Sequence, residues 1–176
     1  MTTIDFALID ELITARRTLH GGGRGAPRLL TDSDRTGAAL NRSIILMLSA
    51  TLQGYVEEVF MKRAKRKLRL RGNDYDSFKG LHNRWGNPSV QNISGQFGRI
   101  GIIDPLNGLS WQGCSNKTVR AKLELLNGLR NQLAHGARTL KIDGQPYSLT
   151  LQKASNLRRF VESFSSRFEL HVRAAR

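Results

Sequence analysis

Arg130, Asn131 and His135 are the residues of this chain whose types and spacing can do chemistry together. An arginine supplies charge stabilisation, a side-chain amide an orienting hydrogen bond, and an imidazole a carrier for a proton. All three fall in the short run Arg130-Asn131-Gln132-Leu133-Ala134-His135-Gly136. At about 100° per residue, Val119, Leu123, Leu126 and Leu133 form one apolar stripe of a helix, and Arg130 projects from its middle. Asn131 and His135, four residues apart, share a neighbouring face. Gly136 suits the left-handed residue that closes such a helix.

Two readings of Arg130 stand on the residues alone. Burying an unpaired guanidinium is costly. Either a carboxylate pairs with it, with Glu57 and Glu58 available, or it serves a ligand. His135 likewise reads either as a proton carrier or as a cation placed favourably at the negative end of a helix dipole.

Composition narrows the partners. The 176 residues suit one domain over 1–176 with a full apolar core. Lys and Arg number 28 against 14 Asp and Glu, a net charge of +14. Such an excess opposes compaction and suits a polyanion, either nucleic acid or an anionic membrane surface. The one cysteine, Cys114, excludes an intrachain disulfide framework and a multi-cysteine metal cage. The four histidines form no His-x-x-x-His pair, so neither a metal nor any other cofactor is expected. Met1–Glu11 carries acids and does not read as a signal peptide. The longest apolar run, Ile44–Leu48, is far shorter than a bilayer span, so a cytoplasmic protein is expected.

The elements that must position the three residues read as helices. Ile4, Ala7, Leu8, Leu12, Ala15 and Leu19 recur at helical spacing and predict a helix over residues 3–19. His20–Pro27 is glycine-rich and non-helical, and it lacks the Gly-x-x-x-x-Gly-Lys-Ser/Thr pattern of a phosphate loop. Asp32, Ser33 or Asp34 can cap a long helix from Arg35 to Arg71, apolar from Leu40 to Phe60. That helix ends in Lys62, Arg63, Lys65, Arg66, Lys67, Arg69 and Arg71, more cations than a helix dipole requires. The run is either a solvated face or an RNA-binding surface, with Arg158, Arg159 and Arg167 as the alternative track. A short helix within residues 73–86 follows. Asn87-Pro88-Ser89 then opens another, with Pro88 favourable in its first turn and Val90, Ile93, Phe97 and Ile100 on its buried side. Ser115 caps the helix of residues 116–135. Thr139–Leu149 is a small hairpin or an extended loop, and Thr150 caps a last helix with Leu157, Phe160, Val161, Phe164, Phe168 and Leu170 on its apolar face. The fold class is an all-α bundle with long antiparallel helices.

Arg130–Gly136 resembles the HEPN superfamily, which carries an Arg-x4–6-His motif, often with a polar residue after the Arg. Leu48–Glu58 (LSATLQGYVEE), Trp85–Ser89, Leu109–Trp111 and Ser115–Val119 are similar to the RiboL-PSP-type group of that superfamily. The resemblance covers roughly residues 40–170. It implies an all-α endoribonuclease independent of metal, acting as a homodimer with a composite active site. His135 would serve as base, His135 of the partner subunit as acid, and Arg130 as the group that stabilises the phosphorane. Asn131 would hold the imidazole or a phosphate oxygen. The products would carry 2′,3′-cyclic phosphate and 5′-OH ends. It also implies a prokaryotic toxin or phage-defence effector, with an antitoxin protein as a partner.

Two positions depart from that pattern. Gln53 stands where relatives commonly have Glu, which leaves Glu57 or Glu58 to pair with Arg130. Arg138 stands where some HEPN toxins carry the tyrosine through which a nucleotidyltransferase antitoxin acts, so that control is not supported. The competing readings are a non-catalytic, basic helical dimer that binds RNA or DNA, and an assembly module whose charge only keeps it in solution.

Overall fold

A computed structural model describes residues 1–21, 27–30, 35–81 and 86–174. Most of the glycine-rich stretch, the capping candidates Asp32, Ser33 and Asp34, and Trp85 lie outside the described residues. Six helices are present: α1 (Ala7–His20), α2 (Ala38–Lys67), α3 (Gly72–Leu81), α4 (Val90–Gly98), α5 (Asn116–Ala134) and α6 (Leu151–Ala174). Between α5 and α6 sits the hairpin β1 (Lys141–Ile142) and β2 (Gln145–Pro146). The expected all-α bundle with a small hairpin before its last helix is the fold observed.

α2 is the central element, packed against α1, α5 and α6. Its most apolar stretch reaches a mean hydropathy of 1.3, which by length and composition would suffice to cross a membrane. A search for one uninterrupted apolar run does not reveal this. More than half of that stretch is buried against the other helices. Ile44, Ile45, Leu48, Leu52, Val56 and Phe60 are fully covered. Phe60 meets Phe97 edge-on at 5.5 Å, Phe97 meets Phe168 at 5.6 Å, and Phe164 stacks on Phe168 at 4.8 Å. These offset and edge-on geometries suit the ring quadrupoles.

α1 is shorter than its periodicity predicts, and it buries another face. Residues 1–6 run across α6 instead. The Thr2 amide donates to the buried Glu169 carboxylate at 2.5 Å, and the Arg158 guanidinium lies 4.2 Å from the Phe6 ring. Leu8 and Leu19 are exposed, while Ile9, Ile13 and Arg16 are buried. A stripe drawn only through apolar residues misses a face that an arginine completes.

α2 begins three residues later than expected and ends four earlier. Gly37 caps its start with φ +76°, and a Cβ there would fall 2.6 Å from Arg16 Cδ and Nε. Only glycine allows that approach. At the other end Arg69 takes φ +55°, and the Leu70 amide donates back to Lys65 O at 3.1 Å. The chain therefore leaves the helix inside the basic run. Beyond this turn, Phe78 of α3 stacks on Phe60 of α2 at 6.0 Å.

Capping residues set the remaining boundaries. Ser89 Oγ accepts from the Asn92 amide, so Pro88 lies before α4 and not in its first turn. Ser115 Oγ accepts from Thr118 and starts α5, and Thr150 Oγ1 accepts from Lys153 at the start of α6. Leu170, expected on the apolar face of α6, is half exposed. The hairpin turns through Asp143 (φ +50°) and Gly144 (φ +76°), the paired positive φ angles that match the twist of a two-residue hairpin.

Candidate active site

The motif lies on the last turn of α5. Val119, Leu123, Leu126 and Leu129 bury the helix against the core. Burial thins toward the C-terminal end, where Arg130 and Leu133 are only half-buried. Arg130 thus keeps the angular position of the stripe without the full burial its neighbours would impose, and Leu129 completes the core contact.

No carboxylate pairs with Arg130 among the described residues. Glu58 is bound to Lys62 at 2.6 Å, and Glu57 makes no hydrogen bond or ion pair. Of the two readings open from the residues, the pairing of Arg130 with Glu57 or Glu58 is therefore not the one observed among the described residues. Partial exposure lets water carry part of the guanidinium's solvation. Arg130 Nη1 donates to Asn131 Oδ1 at 3.3 Å and has no other partner among the described residues. The rest of its donor fork is open.

Asn131 is fixed by a residue that motif reading missed. Asn87 Nδ2 donates to Asn131 Oδ1 at 2.5 Å. The Asn87 carbonyl accepts in turn from Asn92 Nδ2 at 2.8 Å. Gly86 makes room for this chain, since a Cβ there would lie 2.5 Å from Asn92 Nδ2. The Oδ1 of Asn131 accepts two hydrogen bonds, and its amide N–H₂ group donates to no protein atom among the described residues. The signal in the sequence was the run Gly86-Asn87-Pro88-Ser89, where a side-chain amide precedes a proline and a cap.

His135 is the C-cap of α5 and is exposed. The helix closes around it by a Schellman arrangement. The Gly136 amide donates to Leu133 O at 3.0 Å and the Ala137 amide to Gln132 O at 2.9 Å, with Gly136 at φ +75°. The imidazole makes no hydrogen bond with a protein group among the described residues. Gln132, within the motif, clamps the hairpin by giving Nε2 to Lys141 O and accepting from the Lys141 amide, both at 2.8 Å. A glutamine suits this because its amide carries a donor and an acceptor in one plane.

The basic run is not brought to the motif within one protomer. Arg42, near the start of α2, donates to Arg138 O, three residues past His135. Lys67, at the end of α2, donates to Gly101 O at 3.0 Å. The 25 residues between them span about 37 Å at 1.5 Å per residue. Part of the run is already engaged by the protein. Lys62 pairs with Glu58 and donates to Thr2 Oγ1 at 2.8 Å, and Lys65 lies 5.0 Å from the Tyr75 ring centre. Arg66, Arg69 and Arg71 are exposed.

A second cationic region adjoins the motif, and it takes in Arg158 and Arg159 of the alternative track. A groove of about 1540 Å³ runs between α1, the start of α2, the segment after His135 and the first turns of α6. Arg158 lines it, held by Asp10 through two bonds of 2.8–2.9 Å and also paired with Glu162. Burial alone would lower the Arg158 pKa, but the Asp10 and Glu162 carboxylates raise it. Tyr147, also on the wall, has its phenol pushed up by burial and so stays neutral.

No curated protein and no solved structure matches the chain. The family model described as RiboL-PSP-HEPN matches residues 25–174, which takes in every element from α2 to α6. With Arg130, Asn131 and His135 at the end of its fifth helix, the chain belongs to the RiboL-PSP-HEPN family, whose members are typically ribonucleases.

Proposed function

We propose that the protein is an endoribonuclease that needs no metal and cuts RNA through the ribose 2′-OH. One observation carries this reading: three unspent functional groups stand together on the last turn of α5. Among the described residues they are an arginine fork without a carboxylate, an amide whose oxygen is held by Asn87, and an exposed imidazole without a protein hydrogen bond.

His135 takes the proton of the 2′-OH, whose oxygen then bonds to the adjacent phosphorus. The bond from phosphorus to the 5′-oxygen breaks, and a second acid protonates that oxygen. The products carry a 2′,3′-cyclic phosphate and a 5′-OH. Positioned acid–base groups contribute typically about 10²–10⁴-fold. Arg130 and the Asn131 amide donate to the phosphorane oxygens, where charge develops in the transition state. At about 100° per residue, Arg130 and His135 point about 140° apart around α5. One helix end therefore does not surround a phosphate, and His135 of the partner subunit is assigned the acid role in a homodimer. A cytoplasmic toxin or phage-defence effector, checked by an antitoxin, is the setting this activity fits.

The test is digestion of single-stranded RNA in excess EDTA, followed by end-group analysis. Cyclic phosphate and 5′-OH ends are expected. Products with 3′-OH ends, or cleavage that EDTA abolishes, would overturn the mechanism.

A further inference from the structure

The cationic groove beside the motif has the chemistry of a phosphate track. Arg16 and Arg17 from α1 face it, Arg35 and Arg42 flank the start of α2, and Arg138 follows His135. α6 adds Arg158 and Arg159, and among the described residues no lysine and a single acid, Asp10, line the walls. Guanidinium forks match phosphate oxygens in two directions at once, which an ammonium does not. Asp10 is already spent on Arg158.

Arg16 is the second, independent observation. It is only 4% exposed, and its Nε and Nη1 atoms are buried with no hydrogen-bond partner. Its guanidinium packs on Gly37, which has no side chain to obstruct it. An unpaired buried guanidinium costs free energy. A phosphate oxygen entering the groove would supply the missing acceptor.

We infer that this groove holds the phosphates of a single RNA strand whose next segment reaches His135. The inference rests on the ribonuclease reading for the direction of the strand, but not for the binding itself. It also gives α1 a role. Ala7–His20 precedes the segment that the family model matches, yet it supplies one wall and the buried arginine.

The test uses the full chain with His135→Ala, so that RNA survives, and a fluorescent single-stranded oligoribonucleotide over a salt series. Arg17, Arg138 and Arg159 are exposed, so their joint replacement by Gln spares the core. Each single-strand phosphate contact contributes about 0.7 to the slope of log K against log salt, so the triple variant flattens the slope by about two. Replacing Arg66, Lys67 and Arg69 with Gln leaves the slope within about half a unit of the parent. An unchanged slope in the groove variant, or an equal flattening in the run variant, overturns the inference. So does a polyglutamate of equal charge that displaces the RNA at equal concentration.

Arg16→Met keeps the aliphatic stem and removes the charge. Without RNA its melting temperature stays level or rises, and the RNA-induced rise seen in the parent disappears. A variant that melts lower without RNA and still binds it with the parental slope would make Arg16 structural and overturn its assignment. These readouts are separate from cleavage. If the wild-type protein cuts no RNA, the ribonuclease reading fails while a flattened slope still stands; cleavage with an unflattened slope sinks the groove alone.

Discussion

The two cationic regions lie at opposite ends of α2 and differ in what their charges do. At the C-terminal end, cations serve the fold. Lys62 ties Glu58 to the Thr2 hydroxyl, the Thr2 amide reaches Glu169, and Glu169 pairs with Arg173. Lys67 holds the Gly101 carbonyl. At the N-terminal end, cations from three helices and two loops converge on a groove, and Arg16 and Arg130 lack acid partners among the described residues. A dense run of charge in sequence marks a helix end that must be solvated and tied down. Scattered arginines that meet in a concavity mark a surface with donors to spare.

Arg130→Ala breaks the comparison most sharply at the motif end. Removing a donor aimed at a developing oxyanion costs about 10²–10³ in rate. Because no carboxylate is left stranded, the fold should hardly notice. Single-turnover cleavage and a melting curve check both parts. A drop of several kcal/mol in stability would reveal a hidden acid partner and return Arg130 to a structural role.

Glu169→Gln probes the opposite end. Burial raises the Glu169 pKa, but the Thr2 amide and then Arg173 outweigh it and hold the carboxyl below its usual value. Its contribution to stability is therefore complete above the unfolded carboxylate pKa of about 4.3 and is lost as pH falls through the folded value. The variant should lose about 2 kcal/mol at neutral pH, the scale of a hydrogen bond to a charged group. Its melting temperature should fall less steeply than the parent's on acidification, with cleavage at neutral pH preserved. Parallel curves in acid would remove Glu169 from the network.

Arg69→Gly gives the smallest effect. A left-handed residue other than glycine costs about 1–2 kcal/mol, so glycine at this helix end should stabilise the chain by about 1 kcal/mol. Chemical denaturation measures it. An unchanged midpoint would mean that the turn after Lys67 carries no strain.

Legibility in the sequence followed the same divide. Ser115 and Thr150 announced two helix starts because a cap is a local device, whereas Pro88 pointed too early and Ser89 is the cap of α4. The alternation of apolar residues placed α2, α5 and α6, and the Arg130–His135 spacing placed the motif. Features that need distant segments were hidden. The buried face of α1 includes Arg16, which no hydropathy pattern counts as core. Asn87 reaches Asn131 across 44 positions, and the groove draws on residues from Asp10 to Arg159. The interruption of α2 at Arg69 was equally opaque, because an arginine normally continues a helix.

The most direct measurement is single-turnover RNA cleavage by His135→Ala against the wild-type protein, with circular dichroism and oligomeric state matched. His135 is exposed and bonds to no side chain, so its loss leaves no cavity and no orphaned partner. The rate should fall by at least about a hundredfold, the lower range for a positioned acid–base group, with the fold unchanged. Cleavage by the variant at the wild-type rate would contradict the assignment of chemistry to the end of α5.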